Sequence, residues 1–80
     1  MPRIIPNQQY EVVIRRPKTE DTVVSVYTLL WRKSLFWAAY KSEKIAINSI
    51  KRRLKIDPDK ANLQVWRELE TGNLQLEGWR

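Results

Sequence analysis

The stretch that decides the fold is residues 42–56, which read SEKIAINSIKRRLKI. At the helical period of 3.6 residues, its apolar side chains fall on one face and most of its charged side chains fall on the opposite face. Ser42 is suited to be the N-cap, and Pro58 does not allow the helix to continue. The pattern predicts an amphipathic helix over about residues 42–55. Its apolar face comprises Ala46, Ile47, Ile50 and Leu54.

The same segment ends in the densest cluster of positive charge in the chain, formed by Lys51, Arg52, Arg53 and Lys55, and Lys44 adds a further cation to its polar face. Cations in the last helical turn stabilise a helix by about 0.3–1 kcal/mol each, and one or two would be sufficient for this purpose. Lys51 and Lys55 are a like-charged pair four residues apart, which is unfavourable. The excess of charge leaves two interpretations equally open, a solvated surface or an anionic partner.

The composition excludes most enzyme classes. The 80-residue chain has no cysteine, no histidine and only two glycines. Thiolate metal sites, cysteine nucleophiles, histidine bases and glycine-rich phosphate loops are therefore excluded. Each close pair of carboxylates has an adequate structural interpretation as a turn, a helix cap or a solvated face. We therefore predict no catalysis, no cofactor and no dedicated metal site.

The length predicts one small domain over residues 1–80, in which residues 1–8 form an irregular lead-in because of Pro2 and Pro6. The N-terminus has no apolar region of the kind found in secretory signals. The apolar stretches are too short to span a membrane. We therefore expect a cytoplasmic protein without a membrane partner.

The positive charge is concentrated in the first two thirds of the chain. Residues 1–55 carry twelve Lys and Arg against four Asp and Glu, a net charge of +8. Residues 56–80 carry three against five, a net charge of −2, so the whole chain has a net charge of +6. A basic surface raises association rates with polyanions, although solubility alone can also account for it.

Three segments before the helix are predicted to be strands. Residues 10–16 and 22–31 are rich in β-branched and aromatic side chains, and the polar connection between them favours an antiparallel hairpin. Residues 22–31 are apolar on both faces, which is typical of a strand inside a sheet. Residues 35–41 fit either a third strand, paired through a tight turn at residues 32–34, or the start of one long helix. We favour the strand, because the long helix would place Glu43 on its apolar face.

The last third of the chain has the start and stop signals of a second helix. Asp57 is a good N-cap, Pro58 suits the first helical position, and Gly72 is placed for a C-terminal cap. The alternative is a hairpin about residues 71–72, because the runs NLQV and NLQL on either side are similar. The signals favour a helix over about residues 58–70. The predicted fold is therefore α+β, with a small antiparallel sheet of about three strands packed against two helices.

Tryptophans beside basic residues are the second functional signal. Trp31 precedes Arg32 and Lys33, and Trp37 follows a few residues later. If residues 22–31 and 35–41 pair, both tryptophans flank the basic turn. A basic turn framed by aromatic side chains can stack unpaired bases and hold phosphates, although core packing is the commoner role of tryptophan.

These features favour a small basic module that binds nucleic acid, either DNA or RNA, without catalytic activity. The residues expected to contact the nucleic acid are Trp31, Arg32, Lys33, Trp37, Lys44, Lys51, Arg52, Arg53 and Lys55. The alternative is a protein–protein interaction or regulatory subunit that docks an acidic partner, with the homodimer as a special case.

Overall fold

The computed structural model describes residues 9–15 and 21–80. In chain order, its elements are β1 (Tyr10–Arg15), β2 (Thr22–Thr28), β3 (Ser34–Tyr40), α1 (Glu43–Arg53), β4 (Leu63–Glu68) and β5 (Leu74–Trp79). The strands form one sheet in the order β3-β2-β1-β4-β5. β1 and β4 are parallel, and the other neighbouring strands are antiparallel.

The parallel pair arises because α1 carries the chain across one face of the sheet. β3 lies at an edge, and the crossover through α1 places β4 on the far side of β1. In this pairing Tyr10 lies opposite Leu63, and Ile14 lies opposite Arg67. A crossover of this kind is what two parallel neighbours require, since a short turn cannot join them. β1 is therefore the central strand of the sheet.

The core lies between α1 and the face of the sheet that α1 covers. Alternate residues of the three inner strands point towards the helix, so their apolar side chains meet its apolar face. The buried cluster comprises Val12, Ile14, Val24, Val26, Ala46, Ile50, Leu63 and Val65. Ile47 and Leu54 pack at its margin. The amphipathic helix and its apolar face are therefore confirmed.

The N-cap of α1 is also confirmed. Ser42 has an extended backbone (φ −150°, ψ 161°), and its hydroxyl oxygen accepts a hydrogen bond of 3.2 Å from the backbone N–H of Ile45. We expect Ser42→Ala to lower the free energy of unfolding by about 1 kcal/mol, because that N–H loses its acceptor. Ser42→Asp is the matched control, since it retains an acceptor and should stay close to the parent. Urea unfolding followed by circular dichroism measures both, and equal losses would contradict a capping role.

The predicted three-stranded antiparallel sheet with two helices is wrong, because the sheet is mixed and five-stranded and α1 is the one helix among the described residues. The second helix, predicted over residues 58–70, is replaced by a turn and by β4. Asp57, the expected N-cap, accepts hydrogen bonds from Asp59 N–H at its side chain and from Lys60 N–H at its carbonyl, each 3.0 Å long. The residues that carry these helix-start signals thus form a single turn, and no helix follows it.

The alternative hairpin is the arrangement found at residues 63–79. Gly72 has a φ of +88° and lies in the β4–β5 turn, where Leu69 N–H donates to the carbonyl of Asn73 over 2.8 Å. Gly72 was expected to cap the end of a helix, but its positive φ is instead part of the turn of a hairpin. Leu63 and Val65 alternate into the core beside β1, which a helix would not allow. Long-range pairing with β1 therefore overrides the local helix signals.

The predicted strands before the helix are confirmed, with somewhat different bounds. β1 and β2 form the expected antiparallel hairpin, and residues 35–41 form a strand rather than the start of a long helix. β2 ends at Thr28, so Leu30 and Trp31 belong to the β2–β3 turn instead of to the strand. The predicted lead-in at residues 1–8 lies outside the described residues.

Candidate nucleic-acid interface

The last turn of α1 lies at the same end of the sheet as the β2–β3 turn. At the start of α1, Glu43 contacts Arg67, which lies opposite Ile14 near the end of β1. At the end of α1, the guanidinium of Arg53 lies 3.8 Å from the ring centroid of Phe36, which follows the β2–β3 turn by a few residues. The helix therefore runs towards the end where β1 and β4 begin.

Backbone hydrogen bonds tie the segments at this end together. Leu29 N–H donates to the carbonyl of Gln9 over 3.3 Å, and Tyr10 N–H donates to the carbonyl of Asn62 over 3.0 Å. The first bond joins the β2–β3 turn to the start of β1, and the second joins β1 to the loop between α1 and β4. Residues that are distant in sequence are thereby held at one end of the sheet.

We call this end the basic end and define it by six cations: Arg32, Lys33, Arg52, Arg53, Lys55 and Lys60. They come from residues 29–33 and 52–61. The same two segments contain two carboxylates, Asp57 and Asp59, so their net charge is +4. The fold thus brings six cations from two segments to the same end of the sheet.

The chain leaves α1 through a tight C-terminal motif that presents Lys55. Ile56 N–H donates to the carbonyl of Lys51, and Lys55 N–H donates to the carbonyl of Arg52. Lys55 itself has a φ of +56°, in the left-handed region that usually holds glycine at this position. The helix end was predicted from Pro58, but the left-handed residue itself could not be recognised, because it is a lysine and not the usual glycine.

Lys51 differs from the other cations because it is buried. Its residue is 6 % exposed, and its ammonium nitrogen donates to the carbonyl oxygens of Pro58 over 3.2 Å and of Lys60 over 2.6 Å. The sequence pattern places Lys51 on the polar face of the helix. In the structure the loop between α1 and β4 folds back over that face and encloses the side chain. Lys51 therefore anchors the loop and does not present its charge at the surface.

Two apolar side chains project at the basic end. Leu30 is 80 % exposed and Trp31 is 79 % exposed, and both lie in the β2–β3 turn. Of the two roles that the sequence left open for Trp31, core packing and an exposed indole beside Arg32 and Lys33, the structure shows the exposed indole. Arg32 also forms an ion pair of 3.2 Å with Glu11, which leaves it partly neutralised.

Two of the predicted contact residues lie elsewhere. Trp37 is 71 % exposed but sits in the middle of β3, opposite Ser25 and on the face of the sheet away from α1. Lys44 lies in the first turn of α1, at the opposite end of the helix from the basic end. Lys60 joins the cluster without having been predicted as a contact residue.

The face of the sheet away from α1 offers little charge to a polyanion. Its described charged groups are paired, Arg15 with Glu68 over 3.1 Å and Glu11 with Arg32. Among the described residues, no group of acidic side chains could hold a metal ion, and no helix is long and apolar enough to cross a bilayer.

A cavity of about 400 Å³ opens beside the first turns of α1, over Ile14, Ile47 and Val65. Arg67 crosses its rim and binds both oxygens of Glu43, at 2.8 and 2.9 Å, and also Glu77. The hydrogen bonds that Arg67 donates to these two carboxylates raise its pKa. The guanidinium is therefore permanently charged and fully engaged, so it is not offered to a ligand in this cavity.

Comparison of the chain with protein-family models, curated proteins and solved structures returned no significant match.

Proposed function

We propose that the protein binds single-stranded nucleic acid at its basic end. The observation that carries the proposal is the meeting of two cation clusters, some twenty residues apart in sequence, beside an exposed Trp31. Phosphate neutralisation by lysine and arginine supplies affinity through counterion release. Stacking of an unpaired base on an indole adds about 1–3 kcal/mol per base.

The arrangement favours a single strand over a duplex. Duplex readers present a helix face or a two-stranded ribbon to the major groove, with side chains along its length. Here the cations lie at one tip of α1 and in adjoining loops, and Trp31 has an unobstructed ring. Bases that are already unpaired can reach this ring without the cost of unstacking a duplex. RNA and DNA share the phosphates and the bases that this site would contact.

The test is a matched pair of charge variants. We expect Arg52→Gln with Lys55→Gln to weaken binding of a 12-nucleotide single strand by about tenfold, and to lower the slope of log K against log salt by about 1.4. Lys41→Gln with Lys44→Gln removes the same charge from the opposite end of the sheet and should have little effect. Fluorescence anisotropy between 50 and 200 mM salt measures both.

Several outcomes would overturn the proposal. One is the absence of binding by the parent chain at low salt, and another is an equal loss of affinity in the two double variants. Polyglutamate of matched length serves as a competitor that has charge but no bases. If it displaces the strand at an equal concentration of charges, the basic end recognises acidic polymers in general, and docking of an acidic protein becomes the better interpretation.

A further inference from the structure

β3 is an unprotected edge of the sheet. Its sequence, SLFWAAY, contains no charged residue, no proline and no glycine. Natural edge strands are commonly protected by charges, prolines or bulges that discourage pairing with another chain. The other edge strand, β5, carries Glu77 and Gly78 and has a register shift along its pairing with β4. The only irregularity of β3 lies at its beginning, between the pairs formed by Ser34 and Phe36.

The backbone direction of β3 follows from its neighbour. Thr28 N–H donates to the carbonyl of Lys33, so Thr28 points its backbone groups towards β3, whereas Leu29 N–H points to Gln9 beside β1. Alternation along β2 then gives Val24 and Val26 the hydrogen bonds to β3. Their partners are Ala38 and Phe36, which face inwards. Trp37 and Ala39 therefore direct their N–H and C=O groups outwards, away from the sheet.

The side chains of β3 are complementary to themselves in one antiparallel register. Trp37 is the central residue of the seven, so a two-fold axis there pairs Trp37 with its own copy. The same register places Phe36 opposite Ala38 on the face towards α1, and it brings Leu35, the extra residue at the irregularity, beside Ala39. Apart from the central pair of tryptophans, each of these large side chains meets a small one, and outward-facing residues meet outward-facing residues.

We propose that two copies of the chain pair through β3, antiparallel and centred on Trp37, to form a continuous ten-stranded sheet. The two-fold axis is perpendicular to the sheet, so both helices lie on the same face. The basic ends of the two copies point in opposite directions, because the paired strands do. Pairing through β3 thus leaves each basic end accessible and does not depend on nucleic-acid binding.

Exposed apolar surface on α1 supports the same partner. Ile45, Ser49 and Arg53 lie four residues apart and share one flank of the helix, and Arg53 packs on Phe36 of β3. This flank therefore faces the β3 edge. Ile45 on it is 51 % exposed, next to an edge strand whose Leu35 and Trp37 are also exposed. A second copy would cover apolar groups from both layers of the fold.

Cysteine cross-linking tests the register, because the chain has no cysteine of its own. In the proposed pair, the Cα atoms of residue 37 in the two copies are about 5.5 Å apart. That separation suits a disulfide. We expect Trp37→Cys to form a disulfide dimer in a glutathione redox buffer, about tenfold or more in excess over Leu30→Cys. Leu30 is at least as exposed as Trp37, so its variant measures random collision.

Two further variants make the register itself falsifiable. Leu35→Cys and Ala39→Cys should each fail to cross-link alone, because each residue lies about 13 Å from its own copy. An equal mixture of the two should give the heterodimer. Cross-linking of every variant to the level of Leu30→Cys would overturn the proposal. So would sedimentation equilibrium showing that the parent chain is a monomer up to about 1 mM, because the Kd of the pairing would then lie above the millimolar range.

Discussion

Ile50→Ala is expected to lower the free energy of unfolding by about 3–4 kcal/mol. Ile50 is 0 % exposed and lies at the centre of the buried cluster, where α1 meets β1 and β2. Truncation removes three carbon atoms from this contact and leaves a cavity that the strands cannot close, because their spacing is set by backbone hydrogen bonds. A domain of this size has a total stability of roughly 4–12 kcal/mol. The variant should therefore lose at least about a quarter of this stability.

Ile45→Ala is the control for this prediction, because it makes the same change on the same helix at a half-exposed position. We expect it to cost less than about 1 kcal/mol. Urea unfolding followed by tryptophan fluorescence measures both variants. The protein concentration is held low and equal, because self-association would make the apparent stability concentration-dependent. Similar losses in the two variants would contradict the assignment of the core.

Lys51→Met is expected to cost about 2 kcal/mol, the second largest effect. The methionine fills nearly the same volume but cannot donate to the carbonyls of Pro58 and Lys60, which the ammonium now joins. A hydrogen bond from a charged donor contributes about 1.5–3 kcal/mol, and rehydration of the exposed loop recovers part of the loss. The loop between α1 and β4 should also loosen, since Lys51 is its described side-chain anchor to the helix.

The control for Lys51 is Lys44→Met, which removes a cation from an exposed position of the same helix. Its effect on stability should stay within about 0.5 kcal/mol. Hydrogen exchange adds a local readout, since the backbone N–H of Lys60 should lose protection in Lys51→Met alone. If Lys51→Met is as stable as the parent, the two carbonyl contacts do not stabilise the fold. The role of Lys51 as the anchor of the loop would then be contradicted.

The strength of local signals explains which elements could be predicted. The Ser42 cap and the apolar spacing of α1 are properties of adjacent residues, and they led to the correct helix. The runs of β-branched residues in β1 and β2 likewise led to the correct prediction of the first hairpin. The segment Asp57-Pro58-Asp59 has an equally clear local signal, yet it forms only a turn. Its local preference for a helix is worth a few kcal/mol at most. Pairing of β4 with β1 outweighs this preference, because it buries Leu63 and Val65 in the core.

The features of the candidate site likewise fall into those that the sequence predicted and those that it did not. The excess of cations in residues 51–55 and the basic turn beside Trp31 could be recognised from composition and spacing alone. The burial of Lys51 could not, because it depends on a loop that returns over the helix. Nor could the separation of Lys44 and Trp37 from the other candidates, which depends on the direction of α1 and the place of Trp37 in β3.

The sequence by itself determined the helix, predicted over about residues 42–55 and found at Glu43–Arg53, the strands before it and the amount of positive charge. These follow from side chains a few residues apart, whose periodicity and capping act locally. Only the tertiary structure decided that β4 and β5 are strands, that two cation clusters meet at one end of the sheet, and that β3 is an uncharged edge. Each of these depends on which strands become neighbours. That choice is made by burial against β1 and by the crossover of α1, which no local pattern contains.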